Sequence, residues 1–228
     1  SCIEIQSKEF FFLNSRITFD SINKAARGIC IKTLCVVKIS DSIFTKCSLP
    51  ADKVASNQDY QGGAIFINNL IETDSQEEIQ LICNTFDACR ASNGCAVMLW
   101  IQTNPTIRGN VITNHNYNKY ILTIIRKTNF ADQFTIENCS FVKNKFSNKR
   151  KDDGGGAAIW IANQEFFNEG EYTQLIFKDC NWTKNTGVYG GAFSYGTSNT
   201  VKYIQLEFQN CHFENNQASG PQGGALHI

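Results

Sequence analysis

The chain has 228 residues, 42% of them hydrophobic and 18% charged, a composition that describes a foldable protein and excludes a disordered one. Its formal net charge is zero, so nothing electrostatic favours nucleic acid or an anionic membrane surface. No apolar run approaches the ~20 residues that span a bilayer, and ten cysteines point to an oxidising compartment.

The opening "SCIEIQSKEFFFLNS" has no basic start, long apolar run or small-residue cleavage site, so it does not read as a signal peptide. Residues 1–36 read as a degenerate coil in which "GICIKT" (28–33) is a worn copy of a phrase repeated more clearly over 37–228. Here Cys30 and Cys35 are spaced to close a short local disulfide loop. The phrase has two halves. In one, a large apolar residue is followed three positions later by a polar residue or cysteine: Phe44…Cys47, Phe86…Cys89, Ile112…His115, Phe141…Asn144, Trp182…Asn185 and Phe213…Asn216. In the other, small residues lead into an apolar stretch: "GGAIFI" (62–67), "GCAVML" (94–99), "GAAIWI" (156–161), "GGAFSY" (190–195) and "GGALHI" (223–228). The segment "NKYILTII" (118–125) takes the same place without glycines.

Alternation after the small residues (Ile65/Ile67, Val97/Leu99, Ile159/Ile161, Phe193/Tyr195, Leu226/Ile228) predicts a strand with one buried face. The intervening Phe66, Met98 and Trp160, with Phe166 and Phe167 of an insertion, form either an outward apolar stripe or core beneath folded-over insertions. A second strand brings Leu175 and Phe177, or Leu206 and Phe208, to a corner. A third places Cys180 and Trp182, or Cys211 and Phe213, on one face, after which Asn185 and Asn216 open a polar turn. Such a unit cannot bury its apolar face alone; copies must stack, each strand pairing in parallel with its equivalent ~4.8 Å away. The expected fold is all-β: one right-handed parallel β-helix (solenoid) over 1–228, of about six or seven irregular coils, cut from a longer chain. A β-propeller fits less well, because its blades need antiparallel strands and hairpin turns.

Stacking turns equivalent positions into columns. One is Phe44, Phe86, Ile112, Phe141, Trp182 and Phe213; a second is Ser42, Asn84, Asn110, Cys139, Cys180 and Cys211. A corner column, Asn138, Asp179 and Asn210, is expected to satisfy backbone groups through its side chains. Cys47 and Cys89 recur at one position in neighbouring coils, at a separation that disulfides use, and Cys83, Cys89 and Cys95 cluster in one coil. Cys139, Cys180 and Cys211 read as buried thiols, of which at most one pair could bridge. With no Cys-x-x-Cys pair, and with His115, His212 and His227 scattered, no metal or other cofactor is expected.

Gly-Gly-Ala-Ile at 62–65 and its variants, alternating with Phe-x-x-Asn at 141–144 and 213–216 and Trp-x-x-Asn at 182–185, resembles the repeat of polymorphic outer membrane proteins. Related repeats occur in large β-helical surface proteins of protists. The resemblance covers 37–228 and departs where Gly-Cys-Ala replaces Gly-Gly-Ala and Ile112…His115 replaces Phe…Asn. It implies a secreted or surface-displayed β-helix engaged in adhesion or assembly, without catalytic residues.

β-Helices also host polysaccharide lyases and hydrolases, whose sites need carboxylate clusters. Asp152 and Asp153 stand beside Lys149, Arg150 and Lys151 and read as a solvated turn. Glu137, Asp179 and Glu207 fall at or near corners where other repeats place Asn138, Asn210 or Gly109, as corner residues do. The expected function is a non-catalytic extracellular or cell-surface rod displaying loops for adhesion or filament assembly. A carbohydrate-active enzyme or a glycan-binding module is the alternative. Expected partners are other proteins, further coils of the same or neighbouring chains, and glycans; nucleic acid and membrane insertion of this segment are not expected. Asn181-Trp182-Thr183 is the better glycosylation sequon, and Asn138-Cys139-Ser140 the poorer, at an inward-turning corner.

Overall fold

The computed structural model describes residues 3–5, 9–19, 27–31, 36–49, 62–68, 78–91, 95–101, 103–117, 121–126, 133–146, 159–163, 173–188, 190–194, 204–220 and 224–227. Among the described residues all regular elements are strands, rich in the β-branched and aromatic residues that suit a pleated surface. Sheet A joins Ile3–Ile5, Ile29–Ile31, Ile65–Asn68, Val97–Ile101, Leu122–Arg126 and Ile159–Asn163. Sheet B joins Glu9–Leu13, Val36–Ser40, Glu78–Ile82, Thr106–Arg108, Phe134–Glu137, Thr173–Lys178 and Ile204–Gln209. Sheet C joins Arg16–Thr18, Ile43–Thr45, Thr85–Asp87, Val111–Thr113, Ser140–Val142, Asn181–Thr183 and His212–Glu214. A short sheet D holds Asn116–Tyr117, Lys145–Phe146, Thr186–Gly187 and Gln217–Ala218, and Phe193–Ser194 pairs with Leu226–His227.

The strand pairs are parallel throughout. The chain visits A, B and C in turn, so a strand bonds to its counterpart one repeat away, an all-parallel arrangement compatible with a parallel β-helix. The sheets are open at their edges. No helix among the described residues is long and apolar enough to cross a membrane.

Register follows the sequence phrase. Phe44 faces Phe86, Ile112 lies between Phe86 and Phe141, and Trp182 between Phe141 and Phe213. Their rings stack: Phe44 on Phe86 at 5.3 Å and 15°, Phe141 on Trp182 at 5.2 Å and 8°, Trp182 on Phe213 at 4.8 Å and 6°. Each such pair adds about 0.5–1.5 kcal/mol beyond its buried area. Sheet B contributes the parallel column Ile39, Leu81, Ile107, Ile136 and Phe177, and sheet A contributes Ile29, Ile65, Val97 and Leu122, to one continuous core.

Sheet A is buried on its other face too. Cys30, Phe66 and Met98 form a separate buried cluster with Trp100 packed against it, and the Arg27 guanidinium lies 4.8 Å from the Phe66 ring centre. The row is therefore covered rather than an outward stripe. Trp160 continues it by register with Thr123, while Phe166 and Phe167 lie outside the described residues.

The two glycines of the repeated phrase have different jobs. Gly62 and Gly190 take left-handed φ values of +66° and +58°, which cost an L-residue about 1–2 kcal/mol. The glycine after each lacks room: a Cβ on Gly63 would stand 2.2 Å from the Cys95 carbonyl oxygen, and one on Gly191 2.5 Å from the Gln217 backbone nitrogen. Both obstacles are backbone, so the strands themselves must separate. Gly63→Ala is expected to lower stability by about 2–3 kcal/mol, measured by denaturant titration. Gly224→Ala, where an added Cβ meets nothing within 4 Å, is the control that should change little. Equal losses at both positions would refute the close-approach explanation.

Candidate functional site

The chain turns at two corners in each repeat. Between sheets B and C, Asn14, Asp41, Cys83, Gly109, Asn138, Asp179 and Asn210 take left-handed φ values of +47° to +68°. After sheet C, Lys46, Ala88, Asn114, Lys143, Lys184 and Asn215 do the same at +51° to +57°. The residue following each turns inward. The result is two columns, Ser15–Ser42–Asn84–Asn110–Cys139–Cys180–Cys211 at the first corner and Cys47–Cys89–His115–Asn144–Asn185–Asn216 at the second. The columns lie five positions apart in the repeats, as in Ser42 to Cys47 or Cys211 to Asn216.

One hydrogen-bond rule serves both columns. The inward Ser42 and asparagine side chains each accept from the backbone N–H of the counterpart in the preceding repeat. Ser15 donates to Ser42 Oγ (3.2 Å), Ser42 to Asn84 Oδ1 (3.1 Å) and Asn84 to Asn110 Oδ1 (3.0 Å). In the second column His115, Asn144 and Asn185 donate in the same way to Asn144, Asn185 and Asn216 at 3.1, 3.0 and 3.0 Å. Each amide also donates back to a preceding-repeat carbonyl: Asn84 to Ile39, Asn110 to Leu81, Asn144 to Ile112, Asn185 to Phe141, Asn216 to Trp182, at 2.7–3.0 Å. Corner N–H and C=O groups facing the dry interior are thereby satisfied, which backbone buried away from water requires.

Cysteine occupies the same niche with weaker groups. Cys180 and Cys211 donate to Ile136 and Phe177 carbonyls at 3.3 Å, and Cys89 to Phe44 at 3.6 Å. Burial and the neighbouring Cys47 thiol push the Cys89 pKa up. Cys139 differs: the adjacent Cys180 thiol, with the neighbouring Asn110 amide, holds its pKa below the usual thiol range against the burial that acts the other way. Cys180, beside it and buried, is pushed up.

His115 joins the cysteine and asparagine runs of the second column. It is fully buried; Nδ1 stands 3.2 Å from Asn144 Oδ1, and Nε2 has no hydrogen-bond partner among the described residues. Burial lowers its pKa to about 4, outweighing the Asn144 oxygen and the Asp87 carboxylate, which act the other way.

The disulfides expected of Cys47 with Cys89, and of Cys30, are not formed. All three are buried free thiols. Cys47 and Cys89 stack as anticipated but meet thiol to thiol. Cys30 lies on the outer face of sheet A, where Arg27 Nη1 donates to its sulfur at 3.3 Å; Cys35 lies outside the described residues. Cys139, Cys180 and Cys211 fall in one column, and Phe141, Trp182 and Phe213 in the adjacent one. Asn138, Asp179 and Asn210 are exposed, and their contribution is the left-handed turn; the amide bonds come from the inward columns instead. Asn185 and Asn216 are not turn openers either: their amides point inward, and Asn185 is fully buried.

Asn181 lies on the outer side of its strand, its Oδ1 accepting from the Thr183 hydroxyl at 2.8 Å while Trp182 between them is buried. The carboxylates weighed for catalysis are dispersed. Glu137 pairs with Lys178 at 3.3 Å, Glu207 accepts from Gln174 at 3.0 Å, and Asp179 is exposed at its corner. Asp152 and Asp153 lie outside the described residues. Among the described residues no three His, Cys, Asp or Glu side chains converge as a metal-binding group. Comparison of the chain with protein-family models, with curated proteins and with solved structures returns no match.

Proposed function

We propose that the chain forms a right-handed parallel β-helix and acts as a non-catalytic, extracellular or cell-surface rod that displays loops for adhesion or assembly. The observation carrying this reading is the in-register parallel pairing of each repeat with the next, in sheets visited in a fixed order. Strand twist favours the right hand for such crossings. Cohesion comes from neighbour on neighbour, so further coils of the same or an adjoining chain extend the rod by pairing at the open sheet edges. Length varies in the segments flanking sheet A, such as 50–61 and 147–158, whereas the links from sheet B to sheet C are constant. That asymmetry supports loop display along one side of the rod, where partner proteins or glycans would be met. The outward Asn181 sequon supports passage through the secretory pathway.

Antibody labelling of intact cells that make the protein, followed by glycosidase digestion, tests the reading. Labelling without permeabilisation is expected, with a mass loss on digestion that Thr183→Val abolishes. Labelling only after permeabilisation overturns the extracellular assignment, and turnover of a polysaccharide by the purified chain overturns the non-catalytic one.

A further inference from the structure

We propose that the outer face of sheet C is a self-pairing surface, on which a second copy of this chain docks side by side with its repeats running in the same direction. The inference goes beyond the rod reading and does not depend on the compartment in which the chain works.

The two rims of this face carry opposite charge. At the corner between sheets B and C the charged side chains are Asp41 and Asp179; at the corner after sheet C they are Lys46, Lys143 and Lys184. All but the half-buried Lys46 are exposed, and none is in an ion pair among the described residues. Asp41 stands five positions before Lys46, and Asp179 five before Lys184, so each of these repeats carries one charge of each sign. Between the rims, the outward side chains from Ile43 to Thr183 are uncharged except Asp87, which accepts from the Asn114 amide at 2.8 Å. Val111, on the middle strand of the seven, is 36% exposed. A centre depleted of charge within a polar rim is the anatomy of a protein interface.

Charge also fixes the orientation. A twofold axis parallel to the stacking direction keeps every repeat level with its own counterpart and exchanges the rims. Asp41 then meets Lys46 of the second copy and Asp179 meets Lys184 of the second copy, each contact occurring twice. Running the second copy the opposite way, about an axis through the middle strand, sets the Ile43 strand against the Asn181 strand. Asp41 would then face Asp179 and Lys46 would face Lys184, like against like, which opposes that arrangement. With about 30 Å of stacked strands and about 16 Å between rims, the pair buries roughly 1,000 Å² over both copies, the low end of specific interfaces. Pairing is therefore reversible and concentration-dependent. Asn181 lies on this face, so a glycan there blocks the second copy, and the chain that pairs is the one without it.

Sedimentation equilibrium of the refolded, glycan-free chain tests the assignment. An equilibrium between single and paired chains is expected, about tenfold or more weaker in 1 M than in 0.1 M salt, because the screening length falls from ~10 to ~3 Å. Asp179→Lys should weaken pairing about tenfold or more by setting positive charge against Lys184 of the second copy, and Lys184→Asp should do the same with negative charge. Both exchanges suit the corner conformation, since Asp41 and Lys143 take the same left-handed φ. The double variant Asp179→Lys/Lys184→Asp brings opposite signs together again and should restore pairing, which a misfolded chain could not do. Tighter pairing in Asp179→Lys would mean the opposite orientation and overturn the proposal. So would a chain that stays single at every concentration, undiminished pairing when Asn181 carries a glycan, or association indifferent to salt and to both exchanges. End-to-end growth at the open sheet edges would show that indifference, together with a series of sizes beyond two.

Discussion

Replacing Asn185 with leucine is expected to lower the unfolding free energy by about 4 kcal/mol. Its Oδ1 accepts from the Asn144 backbone N–H at 3.0 Å, and its Nδ2 donates to the Phe141 carbonyl at 2.8 Å. Leucine fills a similar volume but returns neither bond, leaving a buried donor and a buried acceptor unpaired at ~1–3 kcal/mol each. The rest comes from the Asn144 and Asn216 side chains, each of which loses a partner. The denaturant midpoint should fall without a change in slope. Thr183→Val, on the outer side of the preceding strand, is the control expected to shift stability by less than about 0.5 kcal/mol. A loss below about 1 kcal/mol for Asn185→Leu would mean that the columns do not hold the repeats together.

Acidification should destabilise the protein through His115. With a folded pKa of about 4 against 6.5 for the free side chain, the unfolded state binds a proton that the folded state refuses. Above pH 6.5 the group is neutral in both states and the contribution is whole. It is lost progressively from pH 6.5 down to 4, by roughly 3 kcal/mol in total. His115→Asn places in this rung the residue that the next rung already uses, and should flatten this part of the pH profile. Denaturant titrations at several pH values between 7 and 4 check the difference. Parallel wild-type and variant profiles would discard His115 as the cause.

The register of the fold was legible because the phrase ties an inward aromatic to a fixed offset. Phe44, Phe86, Ile112, Phe141, Trp182 and Phe213 align in sequence and pair in space. The corners were less legible. Asn, Asp and Gly suggest left-handed turns, yet Lys46, Cys83, Ala88, Lys143 and Lys184 adopt the same conformation, and no residue-type rule marks them. Asn185 and Asn216 read as turn openers because an asparagine looks alike in a solvated turn and a buried ladder; only the neighbours stacked above and below distinguish the two. The available signal was positional, since both share the place of Cys47 and Cys89. Spacing brought Cys47 and Cys89 together but could not set their oxidation state. The apolar row Phe66 and Met98 left its outer environment open, because alternation separates two faces without saying what covers either.

The uneven repeat length has a kinetic and evolutionary consequence. Successive corners are joined by as few as 26 residues and as many as 42. The entropy of closing a loop grows only with the logarithm of its length, so the longer closure costs only about 0.4 kcal/mol more. That is less than one buried hydrogen bond of the columns. Among the described residues the strands pair with neighbouring repeats, so lengthening the array does not lengthen any single closure. A change of length in the segments beside sheet A is thus nearly neutral for folding while the corners stay fixed.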